Sequence, residues 1–141
     1  MATNVQRVYK DYIVAYNSHD VAKIGALWTE DAVWEDVASG QLAHGKKELL
    51  VSFRDIFAAV PNVTCELTFF FSAGNRIAAE WVETGTQTGD WGGIPATGKS
   101  YSIRGASIAE LKNGKISRET SYLNMADFLQ QLGLMPEIGS K

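Results

Sequence analysis

The hydrophobic period of this chain changes at Pro61, and the change divides a helical part from a strand part. Before it, Val5, Val8, Tyr9, Tyr12, Ile13 and Tyr16 recur at spacings of three and four, the stripe of a 3.6-residue helix. Residues 17–20 interrupt that stripe, and Asp20 is placed to cap a second short helix through Val21, Ile24, Leu27 and Trp28. Residues 32–37 favour a strand ending at the turn residues Ser39 and Gly40, with residues 41–44 as a short partner. Gly45 precedes a third helix, in which Leu49, Leu50, Phe53, Ile56 and Phe57 again step by three and four, and Pro61 stops it.

After Pro61 the period is two. Strands are expected over residues 63–71, 76–88, 101–112 and 115–123, with turns at Gly74-Asn75 and Asn113-Gly114 and a loop over 90–98. Gly85, inside a strand, marks a bulge or a close backbone approach. A last helix over 125–132 ends at Gly133. Helices followed by hairpin-linked strands predict an α+β domain in which N-terminal helices cover one face of a curved antiparallel sheet. Such a bent sheet makes a cone-shaped pocket with an apolar mouth, a common ligand site.

Composition narrows the function. With 141 residues, 45% of them hydrophobic, the chain is expected to form one domain, residues 1–141, around one core. Thirteen Lys and Arg against sixteen Asp and Glu give a net charge of -3, which argues against a nucleic-acid surface. No long apolar run suits a membrane span, and the polar N-terminus lacks a signal segment, so a cytoplasmic location is expected. Cys65 has no partner for an internal disulfide, and His19 and His44 are too few for a Cys/His metal site. Gly89, Gly92 and Gly93 lack the strand-to-helix setting of a dinucleotide loop, so neither a metal nor a cofactor is expected. His19 is read as capping backbone carbonyls and His44 as solvated.

Two groups carry candidate chemistry. Strand alternation puts Trp34 and Asp36 on one face. A carboxylate against an indole is desolvated, which raises its pKa and suits a general base; alternatively, Asp36 caps the turn at Ser39-Gly40. Tyr9, Tyr12 and Tyr16 are either core packing or hydroxyl donors to a ligand, and each buried hydroxyl needs a partner. Pocket shape depends on packing around Trp28, Phe53, Phe57, Phe69 and Phe71.

The segment from Asp11 to Asp20 (DYIVAYNSHD) resembles the first-helix signature of the nuclear transport factor 2-like superfamily, the cystatin-like α+β cone. The segment from Trp34 to Gly40, followed by Gly45, is similar to its first strand and turn. Thr84 to Gly89, Gly93 to Lys99 and Gly114 to Ile116 resemble the SnoaL-like polyketide cyclase branch. The resemblance spans residues 5–132 and implies two sets of site residues. The ketosteroid isomerase-like set places a general base at Asp36 and an oxyanion-hole tyrosine at Tyr12, with Ser107 in place of a protonated aspartic acid. The cyclase set has an acid/base Asp at the position of Ser121 and a His at that of Ser107, so this machinery is missing; Gln87 replaces a further His.

The β-hairpin around Asn113-Gly114 decides which residues face the pocket. A two-residue turn pairs Lys112 with Lys115 and puts Ser107 on a face with Thr120 and Tyr122. A three-residue loop with a bulge pairs Leu111 with Lys115 and puts Ser107 with Glu119 and Ser121. The resemblance favours the second. Glu119 is then either a wall residue or a salt-bridge or dimer contact. Trp81, on a face with Ile77, Ala79 and Glu83, and Trp91, in the glycine-rich loop, either stack on a flat ligand or fill the core.

The expected activity is proton transfer on a small hydrophobic carbonyl compound without a cofactor, an isomerisation, aldol-type cyclisation or lyase reaction. Asp36, Tyr12 and Ser107 are its catalytic residues. Trp34, Trp81, Trp91, Phe53, Phe57, Glu119 and Ser121 are its ligand-binding residues. The alternative is a non-catalytic small-molecule-binding protein, because both cyclase positions are serine. The resemblance also implies a homodimer through the outer sheet face, where Glu80 and Arg104 are placed.

Overall fold

The computed structural model describes residues 4–136. Four helices and six strands follow in the order α1 (Asn4–Ser18), α2 (Val21–Ala26), β1 (Trp28–Asp36), β2 (Gln41–His44), α3 (Lys46–Ala59), β3 (Thr64–Ala73), β4 (Arg76–Thr86), β5 (Ser100–Lys112), β6 (Lys115–Leu123) and α4 (Met125–Gln131). The strands form one curved, open sheet in the order β2-β1-β6-β5-β4-β3. This is the expected α+β cone, with one difference. β1 runs parallel to β6, so the sheet is mixed rather than wholly antiparallel.

The tyrosine stripe of α1 is buried against the concave face, with Val8, Tyr9, Tyr12, Ile13 and Tyr16 all in the core. Asn17 fixes the helix to β3, since its side-chain amide donates to the Cys65 carbonyl at 2.8 Å and accepts from the Cys65 amide at 2.7 Å. His19 turns the chain with a φ of 58°, and its ring stacks on Phe57 at 4.4 Å. Its Nε2 donates to the Val63 carbonyl at 2.7 Å, so it caps the approach to β3 rather than the end of α1. Asp20 caps α2 through the Lys23 amide, as expected. That helix stops at Ala26, however, because Trp28 is drawn into the sheet opposite Ile116, where it is fully buried. Tertiary pairing here overrides the helical spacing of Leu27 and Trp28.

Bulges set which side chains enter the cone. In β3 the register shifts between Leu67 and Phe69, leaving Thr68 as the extra residue. Leu67 and Phe70 therefore pack inward, and Phe69 and Phe71 stand exposed on the outer face. Their expected place around the pocket is corrected accordingly. Gly85 is no bulge: it pairs with Tyr101 in an unbroken register, and a Cβ there would lie 2.3 Å from Val60 Cγ1. It is a close-approach point between β4 and the end of α3.

The β5–β6 hairpin combines features of both expected forms. Asn113 and Gly114 make a two-residue turn with φ of 53° and 78°, and Lys112 pairs with Lys115. One step into the ladder, Ser117 is an extra residue between the Leu111–Ile116 and Glu110–Arg118 pairs. The turn is thus the two-residue form, yet Ser107 shares a face with Glu119 and Ser121, as expected of the three-residue form. The Ser117 hydroxyl donates to the Glu110 carbonyl at 3.1 Å and holds the bulge.

Candidate functional site

The concave face of the sheet and helices α1, α3 and α4 enclose a cavity of about 360 Å³. Two rungs of the sheet supply its polar floor. Asp36 of β1, Ser121 of β6 and Ser107 of β5 are lateral partners on one rung. Trp34 and Glu119 are partners on the next. The Trp34 ring packs edge-on against Phe53 of α3 at 5.5 Å.

Glu119 is buried, not a salt-bridge or dimer contact. Tyr9 donates to its Oε2 at 2.5 Å and Tyr12 to its Oε1 at 3.0 Å. Burial pushes its carboxyl up to about 6, and the hydrogen bonds from Tyr9 and Tyr12 limit the rise. The Tyr12 hydroxyl, expected to serve an oxyanion, is thus committed to a carboxylate of the protein. Burial and the neighbouring Glu119 charge hold both Tyr9 and Tyr12 well above the ordinary tyrosine range.

A second carboxylate was read only as a strand neighbour of Trp81. Glu83 lies between Tyr16, which donates to Oε1 at 3.2 Å, and Tyr101, which donates to Oε2 at 3.0 Å. Burial pushes Glu83 up to about 7; the Tyr101 and Tyr16 hydrogen bonds oppose the rise and the charge of Asp36 adds to it. The available signal was the tyrosine stripe itself, whose buried hydroxyls required acceptors. Nothing in local sequence ties Tyr9 to Glu119, 110 residues away.

Trp81 Nε1 donates to Ser107 Oγ at 2.9 Å, and Ser107 Oγ lies 2.9 Å from Ser121 Oγ. With Ser107 donating to Ser121, the Ser121 proton is left for a ligand oxygen. Asp36 makes the turn contact of its capping reading. Ser39 Oγ donates to its Oδ2 at 2.7 Å, which ties it to the turn, while its Oδ1 is buried without a hydrogen-bond partner. Trp91 reaches the wall from the loop and packs edge-on against Phe128 at 5.4 Å. Phe57 alone among the expected ligand-binding residues is absent from the wall; it packs on Tyr16 and His19 instead.

Gln87, at the position of a further His in the resemblance, is fully buried and holds the loop together. Its Nε2 donates to the carbonyls of Gly89, Ile94 and Pro95, and its Oε1 accepts from the amide and hydroxyl of Thr97. Cys65 also reaches the wall, but burial and the charges of Glu83 and Glu119 raise its thiol far above the reactive range. Among the described residues, no three His, Cys, Asp or Glu side chains are grouped to hold a metal ion. None of the described helices is long and apolar enough to cross a membrane.

The family model for SnoaL-like polyketide cyclases matches residues 5–132. The chain belongs to this family. Among solved structures, this SnoaL-like chain is similar to a candidate polyketide cyclase from Silicibacter sp., with 26% identity over 91% of this chain and 94% of that one, at a TM-score of 0.78. TsrD from Streptomyces laurentii superposes at a TM-score of 0.83, with 20% identity over 94% and 96% of the two chains. A protein of ketosteroid isomerase-like fold from Catenulispora acidiphila, solved with trimethylamine, superposes at 0.79, with 19% identity over 92% and 93%. The last two likenesses speak to the fold alone. No curated protein matches the sequence. In this SnoaL-like chain, Ser107 and Ser121, the positions to which the resemblance assigned a His and an acid/base Asp, lie within hydrogen-bond distance of each other.

Proposed function

We propose that the protein removes an α-proton from a small hydrophobic carbonyl compound, in an aldol-type cyclisation or an isomerisation that needs no cofactor. The observation that carries this reading is the place of Asp36 on the cavity wall, with an Oδ1 that is buried and has no hydrogen-bond partner. A general base needs a free lone pair, and Glu119 already accepts from Tyr9, Tyr12 and Trp34. In the proposed step Asp36 takes the proton from carbon, and the electron pair moves onto the carbonyl oxygen. Ser121, polarised through Ser107 and Trp81, donates to that oxygen. Tyr12 supports the step indirectly, by holding Glu119 in place.

A second reading has its own support. Asp36 accepts from Ser39, and Asp36 O accepts the Gly40 amide at 2.9 Å, so the residue also serves as a turn cap. Together with the two serines, this favours a binding protein without catalysis. Deuterium exchange from solvent into the α-positions of hydrophobic ketones and β-keto esters separates the two. Exchange in the wild type that is lost in Asp36→Asn supports catalysis. Binding without exchange supports the second reading.

We also propose that the outer sheet face joins two copies of the chain. Phe69, Phe71, Ile108 and Tyr122 are exposed there, an apolar patch of the kind that marks an interface. Sedimentation of the wild type and of Phe69→Glu/Phe71→Glu tests it: the dimer is expected for the first and the monomer for the second.

A further inference from the structure

Proton transfer from a neutral carbonyl compound leaves the charge of this cavity unaccounted for. Among the described residues that line it, four are acidic, namely Asp36, Asp55, Glu83 and Glu119, and none is Lys, Arg or His. Carboxylates gathered in a low-dielectric site without a counter-ion are costly, so such a site favours a ligand that brings positive charge. The rest of the wall suits the same class of ligand. Eight lining residues are aromatic, and ring faces attract ammonium groups as well as apolar skeletons.

Counting lone pairs distinguishes the acids. Each carboxylate offers about four acceptor positions. Glu119 accepts from Tyr9 and Tyr12, one on each oxygen, and Trp34 adds a further donor, so it has the less room. Glu83 receives two, one on each oxygen, from Tyr16 and Tyr101. It therefore keeps acceptor capacity while held rigidly at the wall, two residues from Trp81 on the same strand face.

We propose that the ligand of this cavity is an amphipathic cation, an apolar ring-bearing molecule with a protonated amine, and that Glu83 is the counter-ion for its ammonium. The inference rests on the proposed carbonyl chemistry only in sharing its cavity, and it defines the substrate as a carbonyl compound that carries an amine. The titratable groups around Glu83 are Tyr16 on α1, Tyr101 on β5, Asp36 on β1 and Cys65 on β3. None of them supplies positive charge. Affinity for the cation therefore rises as the pH is taken through about 7, where Glu83 ionises.

The test uses three flat probes of equal size: naphthylmethylamine, naphthylmethanol and naphthoate. Calorimetric titration of the wild type is expected to show the amine binding about tenfold or more tightly than the alcohol, with no measurable naphthoate binding. Glu83→Gln, which keeps the shape and the tyrosine contacts, is expected to reduce the amine-to-alcohol ratio to about one. Equal affinity for amine and alcohol in the wild type overturns the inference, as does tighter naphthoate binding or no amine binding at millimolar concentration. The wild-type series decides the question even where the variant does not fold. Amine selectivity without α-deuterium exchange overturns the catalytic reading alone, and exchange without amine selectivity overturns the charge inference alone.

Discussion

Asp36 and Ser121 are partners on one rung of the parallel β1–β6 pair, so the carboxylate and the hydroxyl leave the floor of the cone side by side. Neighbouring strands are about 4.8 Å apart, which lets one small ligand meet both groups at adjacent atoms.

That placement separates the two serines by experiment. Ser121→Ala removes the outer hydroxyl and is expected to slow α-exchange on the order of a hundredfold, with little change in melting temperature. Ser107→Ala also leaves Trp81 Nε1 without its acceptor, and is expected to cost about 1–3 kcal/mol of stability. Exchange rates and thermal melts on the two variants check both outcomes.

The two buried glutamates give stability a definite pH slope. Their folded pKa values, about 7 for Glu83 and about 6 for Glu119, exceed that of an unfolded glutamate. The native state therefore binds more protons than the unfolded chain in this window. This contribution to stability is fully present below the unfolded value and is lost as pH rises through about 6 and 7. The wild-type melting temperature is expected to fall on the order of 5 °C across this range. Glu83→Gln should show a shallower fall, and equal slopes in the two proteins would refute the assignment to Glu83.

Gly105 makes room for an indole. A Cβ at this position would lie 2.3 Å from Trp81 Cη2. Gly105→Ala is expected to displace Trp81, break its bond to Ser107 and cost about 1–3 kcal/mol. Loss of near-ultraviolet circular dichroism together with a lower melting temperature would show it.

Gln87 is the hub of the loop that carries Trp91. Gln87→Ala removes side-chain bonds to four residues of that loop and is expected to cost about 1–3 kcal/mol. Limited proteolysis should then cut within residues 88–98 before any strand is cleaved.

The helices and strands were legible because their periods are local properties of the chain. The stripe from Val5 to Tyr16 and the alternation of Trp34 with Asp36 fix faces with no knowledge of what they meet. The Tyr9–Glu119 and Tyr16–Glu83 bonds were not legible, since each joins a helix to a distant strand and depends on how the sheet bends beneath α1. Bulges defeated alternation in the same way. Thr68 reverses the faces of Phe69 and Phe70, and no turn-forming residue marks the place. The Asn113-Gly114 signal was read correctly as a turn, but its register does not reach Ser107 because Ser117 intervenes.

Ser117 has a consequence beyond geometry. The tip of the hairpin and the floor of the cone are numbered from different origins, and this one residue is the offset between them. Were Ser117 paired with Glu110 instead of bulged out, Glu119 and Ser121 would turn to solvent, and Arg118, Thr120 and Tyr122 would take the inner face. A single step of register, with no change of residue type, decides whether β6 offers an acid or a base to the vessel.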